Sequence, residues 1–241
     1  MTWEIGALAP APEAAPRGAM LRAQTLAELR LTVRNGEQVL LNLIIPLGLL
    51  TVLVKVPFVS IHGSRVAFAV PGVLALAIMS SAFTGQAIGT GFERYYGVLK
   101  RLGATPLPRS TLLLAKTLAV LTVEVLQLGA ICALGLVLGW HPQGNVLSAL
   151  LLIALGTAAF SGLGLLLGGT LRGLTSLAVA NLLWFVLMAL GGVVFPLRDT
   201  GAGEQVLQFL PTAALSDGLR TLTQHGHLVG RDVLTLMVWA V

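Results

Sequence analysis

The chain has 241 residues, a formal net charge of +5, 56% hydrophobic residues and only 10% charged ones. Soluble domains carry about 25% charged residues, so this composition excludes an ordinary water-soluble globule and suits a bundle embedded in lipid. Aromatic residues make up 6% of the chain and no basic stripe interleaves with them, which argues against a nucleic-acid partner and makes the cations loop charges that set membrane orientation.

Residues 1–19 read as a disordered Pro/Ala-rich tail with Pro10, Pro12 and Pro16, lacking the basic start and apolar run of a signal peptide. Residues 20–241 read as one transmembrane domain. Its first segment, MLRAQTLAELRLTVRN over 20–35, sets Leu26, Leu29 and Val33 at helical spacing with Leu21 near the same face, and interleaves Arg22, Arg30 and Arg34. That pattern predicts an amphipathic helix lying at the membrane interface.

The spans follow, each needing about 20 apolar residues to cross about 30 Å of hydrocarbon. They are expected over 39–56 (with Pro46 inside and Lys55 at the end), 66–88, 111–138, 146–167, 174–195, and an incomplete 232–241. The last, VLTLMVWAV, reaches only about 13 Å as helix and is read as truncated. The lone cysteine, Cys132, falls in the third span and reads as a small packing residue. The expected fold is an all-α integral membrane protein: a six-helix bundle with an N-terminal interfacial helix, a cytoplasmic helix between spans two and three, and short outer-face helices. With the N-terminus in the cytoplasm, ten Lys and Arg fall inside and five (Lys55, Arg65, Arg198, Arg220, Arg231) outside, which favours that orientation. The outer connection, 197–231, spaces Leu207, Leu210, Leu215 and Leu219 at helical intervals and is expected to pack on the outer face and dip partly into the membrane.

Chemistry-bearing motifs are few. The sequence has no G-x-x-x-x-G-K-[ST] phosphate loop and no H-E-x-x-H. His62, His141, His225 and His227 fall in outer connections without a carboxylate or cysteine set beside them. F-S-G-L-G around Ser161 lies in a Gly-rich span, where small residues let helices pack closely. Inside the spans Glu124 stands out, because an intramembrane carboxylate is costly and faces a bundle interior or a wet cavity. Gln127 shares its face, and Asn42, Gln86 and Asn181 are further intramembrane polar residues. Glu124, Gln127, Asn42 and Asn181 are candidates for a translocation path or a dimer interface, and an interhelical hydrogen-bond clamp is the plainer alternative for Glu124. Lys116, two turns from Glu124, is expected to snorkel out to the cytoplasmic side.

The most informative segment is cytoplasmic: GFERYYGVLKRLGATPLPRSTLLLAK, from Gly91 to Lys116. Residues 93–102 can form a short charged helix with Tyr95, Tyr96, Leu99 and Leu102 as apolar anchors, ended by Gly103 and stiffened by Pro106 and Pro108. It reads either as a solvated positive-inside loop or as a rigid knob that takes force from a moving partner.

F-E-R-x-x-G-V-L-K-R-L-G-A-T-P-L-P-R resembles the signature cytoplasmic loop of the ABC type-2 transporter permease family, with Tyr95 standing where an acidic residue is frequent. Gly191-Gly192-Val193-Val194-Phe195-Pro196-Leu197 resembles the family's outer motif after the fifth span, and Leu210-Pro211 with Asp217-Gly218-Leu219-Arg220 resembles its outer re-entrant region. The resemblance implies the membrane subunit of a bacterial exporter in the cytoplasmic (inner) membrane. Two such six-helix subunits, in a homodimer or heterodimer, would pair and dock on ATP-binding-cassette ATPase subunits. ATP and Mg would be used by that partner, with no cofactor and no enzymatic activity in this chain. By the same resemblance Glu93, Arg94, Gly97, Leu99, Lys100 and Arg101 are the residues that couple to the ATPase. The substrate is expected to be a lipophilic drug, lipid or glycan-lipid. The alternative is a proton-coupled secondary transporter using Glu124.

Overall fold

The computed structural model describes residues 14–56, 64–193 and 204–240. Eleven α-helices run through them. In chain order they are α1 (Arg17–Arg34), α2 (Gly36–Lys55), α3 (Arg65–Ile78), α4 (Gln86–Tyr95), α5 (Val98–Leu102), α6 (Arg109–Val137), α7 (Val146–Thr170), α8 (Gly173–Leu190), α9 (Glu204–Leu207), α10 (Pro211–His225) and α11 (Gly230–Ala240). One π-helical segment, Met79–Gly85, joins α3 to α4, so that Arg65–Tyr95 is a single rod of 31 residues. No strand occurs among the described residues.

The helix ends follow local chemistry. The Ser64 side chain accepts a hydrogen bond from Ala67 N at the start of α3, and Asn145 Oδ1 accepts one from Leu147 N at the start of α7. Pro108 precedes α6 and Pro211 opens α10, positions where a missing N–H costs nothing. Gly226 ends α10 in the left-handed region at φ 76°.

The 31-residue rod is the central post. In its most apolar stretch 78% of the residues are buried, against 28%, 39% and 17% for α6, α7 and α8. Its α3 half packs on α2, α6 and α10, and its π and α4 half packs on α7 and α8. Small residues make the second contact close. A Cβ on Gly164 would lie 2.6 Å from Phe83 O, and one on Gly168 would lie 2.6 Å from Ala87 O; both distances are impossible without separating the helices. The outward faces of α6 and α7 are apolar, with Val125, Leu126, Val137, Val146 and Leu147 all well exposed, the arrangement that a hydrocarbon solvent favours.

Among the described residues four helices are long and apolar enough to cross a membrane: the rod, α6, α7 and α8. A fifth crossing results if α1 and α2, bent by 68° at their junction, are counted as one. The eleven residues of α11 reach about 17 Å, short of a crossing.

Several expectations need adjustment. Helix α1 starts at Arg17, ahead of the expected boundary at residue 20. Its packed face carries Leu21, Gln24, Thr25, Glu28 and Leu29, whereas Leu26, Leu31 and Val33 are exposed. The second span continues to Tyr95 instead of ending near 88, so the cytoplasmic connection begins as an extension of a membrane helix. In the outer connection, α9 and α10 occupy the region expected to hold short helices, and α10 is buried along most of its length. Residues 1–13, His62, and Val194 to Leu197 of the outer motif lie outside the described residues.

Candidate functional site

At one end of the rod the chain makes a compact projection. Helix α4 stops at Tyr95, Tyr96 and Gly97 form a turn with Gly97 at φ 72°, and α5 supplies a little over one turn before Gly103. Only a residue without a Cβ adopts that φ cheaply, so Gly97 fixes the angle at which α5 leaves the rod. Arg94 braces the projection from the side, donating through Nη1 to Gly169 O at the end of α7. Lys100 and Arg101 are exposed, and Leu99 is half-buried. Tyr95 and Tyr96, expected as apolar anchors, are instead 66% and 67% exposed. Their rings meet edge to face with centroids 5.1 Å apart, and Tyr96 stacks on Phe92. The projection therefore offers two aromatic rings and two cations on one rigid support.

Glu93 turns the other way. Its Oε1 accepts from Lys116 Nζ at 2.6 Å, and the same ammonium donates to Glu28 Oε2 at 3.0 Å. Lys116 does not snorkel: its side chain is 6% exposed. One buried cation thus joins α1, α4 and α6. Above this cluster a cavity of about 550 Å³ runs between α1, α2, the rod, α6 and α8. Glu28, Glu93 and Lys116 line one end, and Asn42, Asn181, Trp184 and Phe185 line other walls. The π-helical segment contributes Ser80, Ser81 and Thr84; such segments recur at functional sites because the extra residue per turn re-aims side chains.

The sequence candidates divide here. Asn42 and Asn181 both line the cavity, as does Gln86, whose Nε2 donates to Ser161 Oγ at 3.2 Å. Glu124 is not in that wall. It is 1% exposed and accepts from Ser81 Oγ at 2.9 Å and Thr157 Oγ1 at 2.6 Å, tying α6 to the π-helical segment and α7. Gln127 Nε2 donates to Asn42 O at 2.6 Å and ties α6 to α2.

Sequence reasoning missed three participants. Glu28 was one charge within an amphipathic stretch. Ser81 was one hydroxyl in an apolar run. Arg220 was counted as an outer loop cation, yet it is 8% exposed. Its Nε donates to Phe68 O at 3.3 Å, its Nη2 to Val193 O at 3.0 Å and its Nη1 to Asp217 Oδ1 at 3.2 Å, with the guanidinium 3.9 Å above the Phe68 ring. Desolvation lowers its pKa to about 10 and Asp217 opposes that shift, so it stays cationic at neutral pH. Only the D-G-L-R motif pointed to this residue. His225 and His227 stand with ring centroids 6.0 Å apart, and no group of three metal-ligating side chains occurs among the described residues.

Described residues that are all α-helical where regular, with four or five helices apolar enough to cross a membrane, a cavity between them and a charged projection at one end, fit an integral membrane transport protein. The family follows from comparison: a family model described as ABC-2 family transporter protein matches residues 59–241, and the chain belongs to that family. It is also similar to the "Putative transport permease YvfS" of Bacillus subtilis (strain 168), at 24% identity over 231 residues that cover 91% of this chain and 92% of the relative.

Proposed function

We propose that this chain is the permease subunit of an ATP-driven exporter, that its α5 projection docks on a separate ATP-binding-cassette ATPase, and that a second permease subunit completes the pathway. The observation that carries this reading is the construction of the projection. A lever must be stiff where it is pushed and joined to what it moves. Arg94 at Gly169, the fixed turn at Gly97 and the Glu93–Lys116–Glu28 cluster would pass a displacement of α5 to α7, α6 and α1 together. Lys100 and Arg101, with Tyr95 and Tyr96, supply the exposed face that a partner would grip; Leu99 would seat beneath it.

With α5 in the cytoplasm, the N-terminus is cytoplasmic too, in agreement with the excess of Lys and Arg on that side. Two subunits of six crossings each fit the reading. ATP and Mg would bind the partner ATPase, and the transported molecule would be lipophilic, in keeping with the apolar walls of the bundle. Nothing in the geometry favours the proton-coupled alternative, because the Glu124 carboxylate is occupied by two hydroxyls away from the cavity.

The test is purification of the tagged chain from its native membrane in a mild neutral detergent, followed by an ATPase assay. The expected result is co-purification of a chain with a phosphate-loop sequence and ATP hydrolysis, both lost in the Lys100→Glu, Arg101→Glu double variant while the permease stays monodisperse. A permease recovered alone, without ATPase activity, would overturn the proposal.

A further inference from the structure

The cavity is unbalanced in two respects. Among the described residues its lining includes two carboxylates, Glu28 and Glu93, and one cation, Lys116, a formal charge of −1 for these three when ionised. Its hydrogen bonding is also incomplete. Glu28 is satisfied on both oxygens, by Gln24 Nε2 at 2.8 Å and by Lys116. In contrast Glu93 Oε2, Thr90 Oγ1 and Thr84 Oγ1 are buried without a hydrogen-bond partner, and all three residues belong to the cavity wall. Thr90 is 5% exposed and lies one turn from Glu93 on α4. Leaving such groups unmade costs about 1–3 kcal/mol each, more when charged, and sites that bind a ligand are where such a cost is tolerated.

The missing complement is a donor with a positive charge. A carboxylate torsion is broad and roughly two-fold, so a small rotation presents Glu93 Oε2 to the cavity. Away from this end apolar and aromatic side chains, Val120, Val123, Trp184 and Phe185, stand in the walls beside Asn42 and Asn181. The volume of about 550 Å³ falls in the range of about 300–1,000 Å³ usual for a drug-sized molecule. We infer that this cavity binds a drug-sized, single-chain cationic amphiphile, its ammonium head at Glu93 and Thr90 and its apolar body along Trp184, Phe185 and the valines. The inference rests on the transport reading above, but its test does not need the ATPase.

The purified chain in nanodiscs would be titrated with a fluorescent alkylammonium probe, dansyl-labelled dodecylamine with a free terminal amine, and with the matching terminal alcohol. The expected result is saturable binding with a preference of about tenfold or more for the ammonium, the scale of one charge-assisted hydrogen bond. Glu93→Gln should abolish the preference and leave binding of the alcohol unchanged. Thr90→Val, which keeps the shape of the wall and the charge of the cavity, should reduce it in part. Equal binding of ammonium and alcohol, or an ammonium preference unchanged in both variants, would overturn the inference. So would displacement of the probe by phosphatidylethanolamine at lower concentration than by dodecylamine, which would make a two-chain lipid the occupant. An exporter that failed to recover its ATPase would leave these binding results as they stand.

Discussion

Two carboxylates inside the bundle, Glu124 on α6 and half-buried Glu93 on α4, face different fates. Glu124 has a hydroxyl on each oxygen, no cation beside it and 1% exposure. Glu93 shares one lysine with a second carboxylate, leaves one oxygen without a partner and borders a cavity. The first is a closed network that holds three elements together. The second is open, with charge and acceptor capacity to spare. In a medium that cannot supply hydrogen bonds, closure marks a group retained for packing and openness marks one placed for something that arrives. Arg220 belongs with the closed kind, since two carbonyls, one carboxylate and one aromatic ring surround it.

That contrast can be broken by substitution. Arg220→Met is expected to have the largest effect, a loss of about 3 kcal/mol in reversible unfolding in detergent, because it removes a buried guanidinium from Val193 O, Phe68 O, the Phe68 ring and Asp217 at once. Glu124→Ala comes next at about 2 kcal/mol, from two lost hydrogen bonds and a small void. Glu124→Gln should cost less than about 1 kcal/mol, since an amide can accept from one hydroxyl and donate to the other. If export falls in Glu124→Gln while the unfolding midpoint holds, the carboxylate has a transport role beyond the clamp.

Gly97→Ala should cost about 1 kcal/mol through its positive φ, and it should lower transport-coupled ATPase activity more than it lowers stability, because it redirects α5. Glu93→Gln should have the smallest effect on unfolding, under about 0.5 kcal/mol, because Lys116 keeps Glu28 and the excess charge disappears. A loss in Glu93→Gln as large as that in Glu124→Ala would erase the distinction between an open and a closed site.

The comparison also separates what could be read in advance. The rod, α6, α7 and α8 were legible because a run of about 20 apolar residues has few stable alternatives to a crossing helix. The α5 projection was legible because its motif and prolines are local. The packed face of α1 was not. Periodicity placed Leu26 and Val33 at the membrane interface, and both are exposed; the face that packs is set by Glu28, held by Lys116 88 residues further on. In lipid an apolar side chain gains little by turning inward, so the polar residues decide which face packs. The same reasoning explains Lys116 itself: snorkelling is the default for an isolated lysine, and two carboxylates brought from distant segments override it.

By itself the sequence determined the solvent, the helices and the family, since hydropathy, breakers and the loop motif are properties of contiguous residues. Tertiary structure alone decided which polar groups meet. Ser81 and Thr157 lie 43 and 33 residues from Glu124, Glu93 lies 23 from Lys116, and Arg220 lies 152 from Phe68. Such pairings depend on how helices are arranged around the central rod, and close packing at Gly164 and Gly168 sets that arrangement to within a fraction of an ångström.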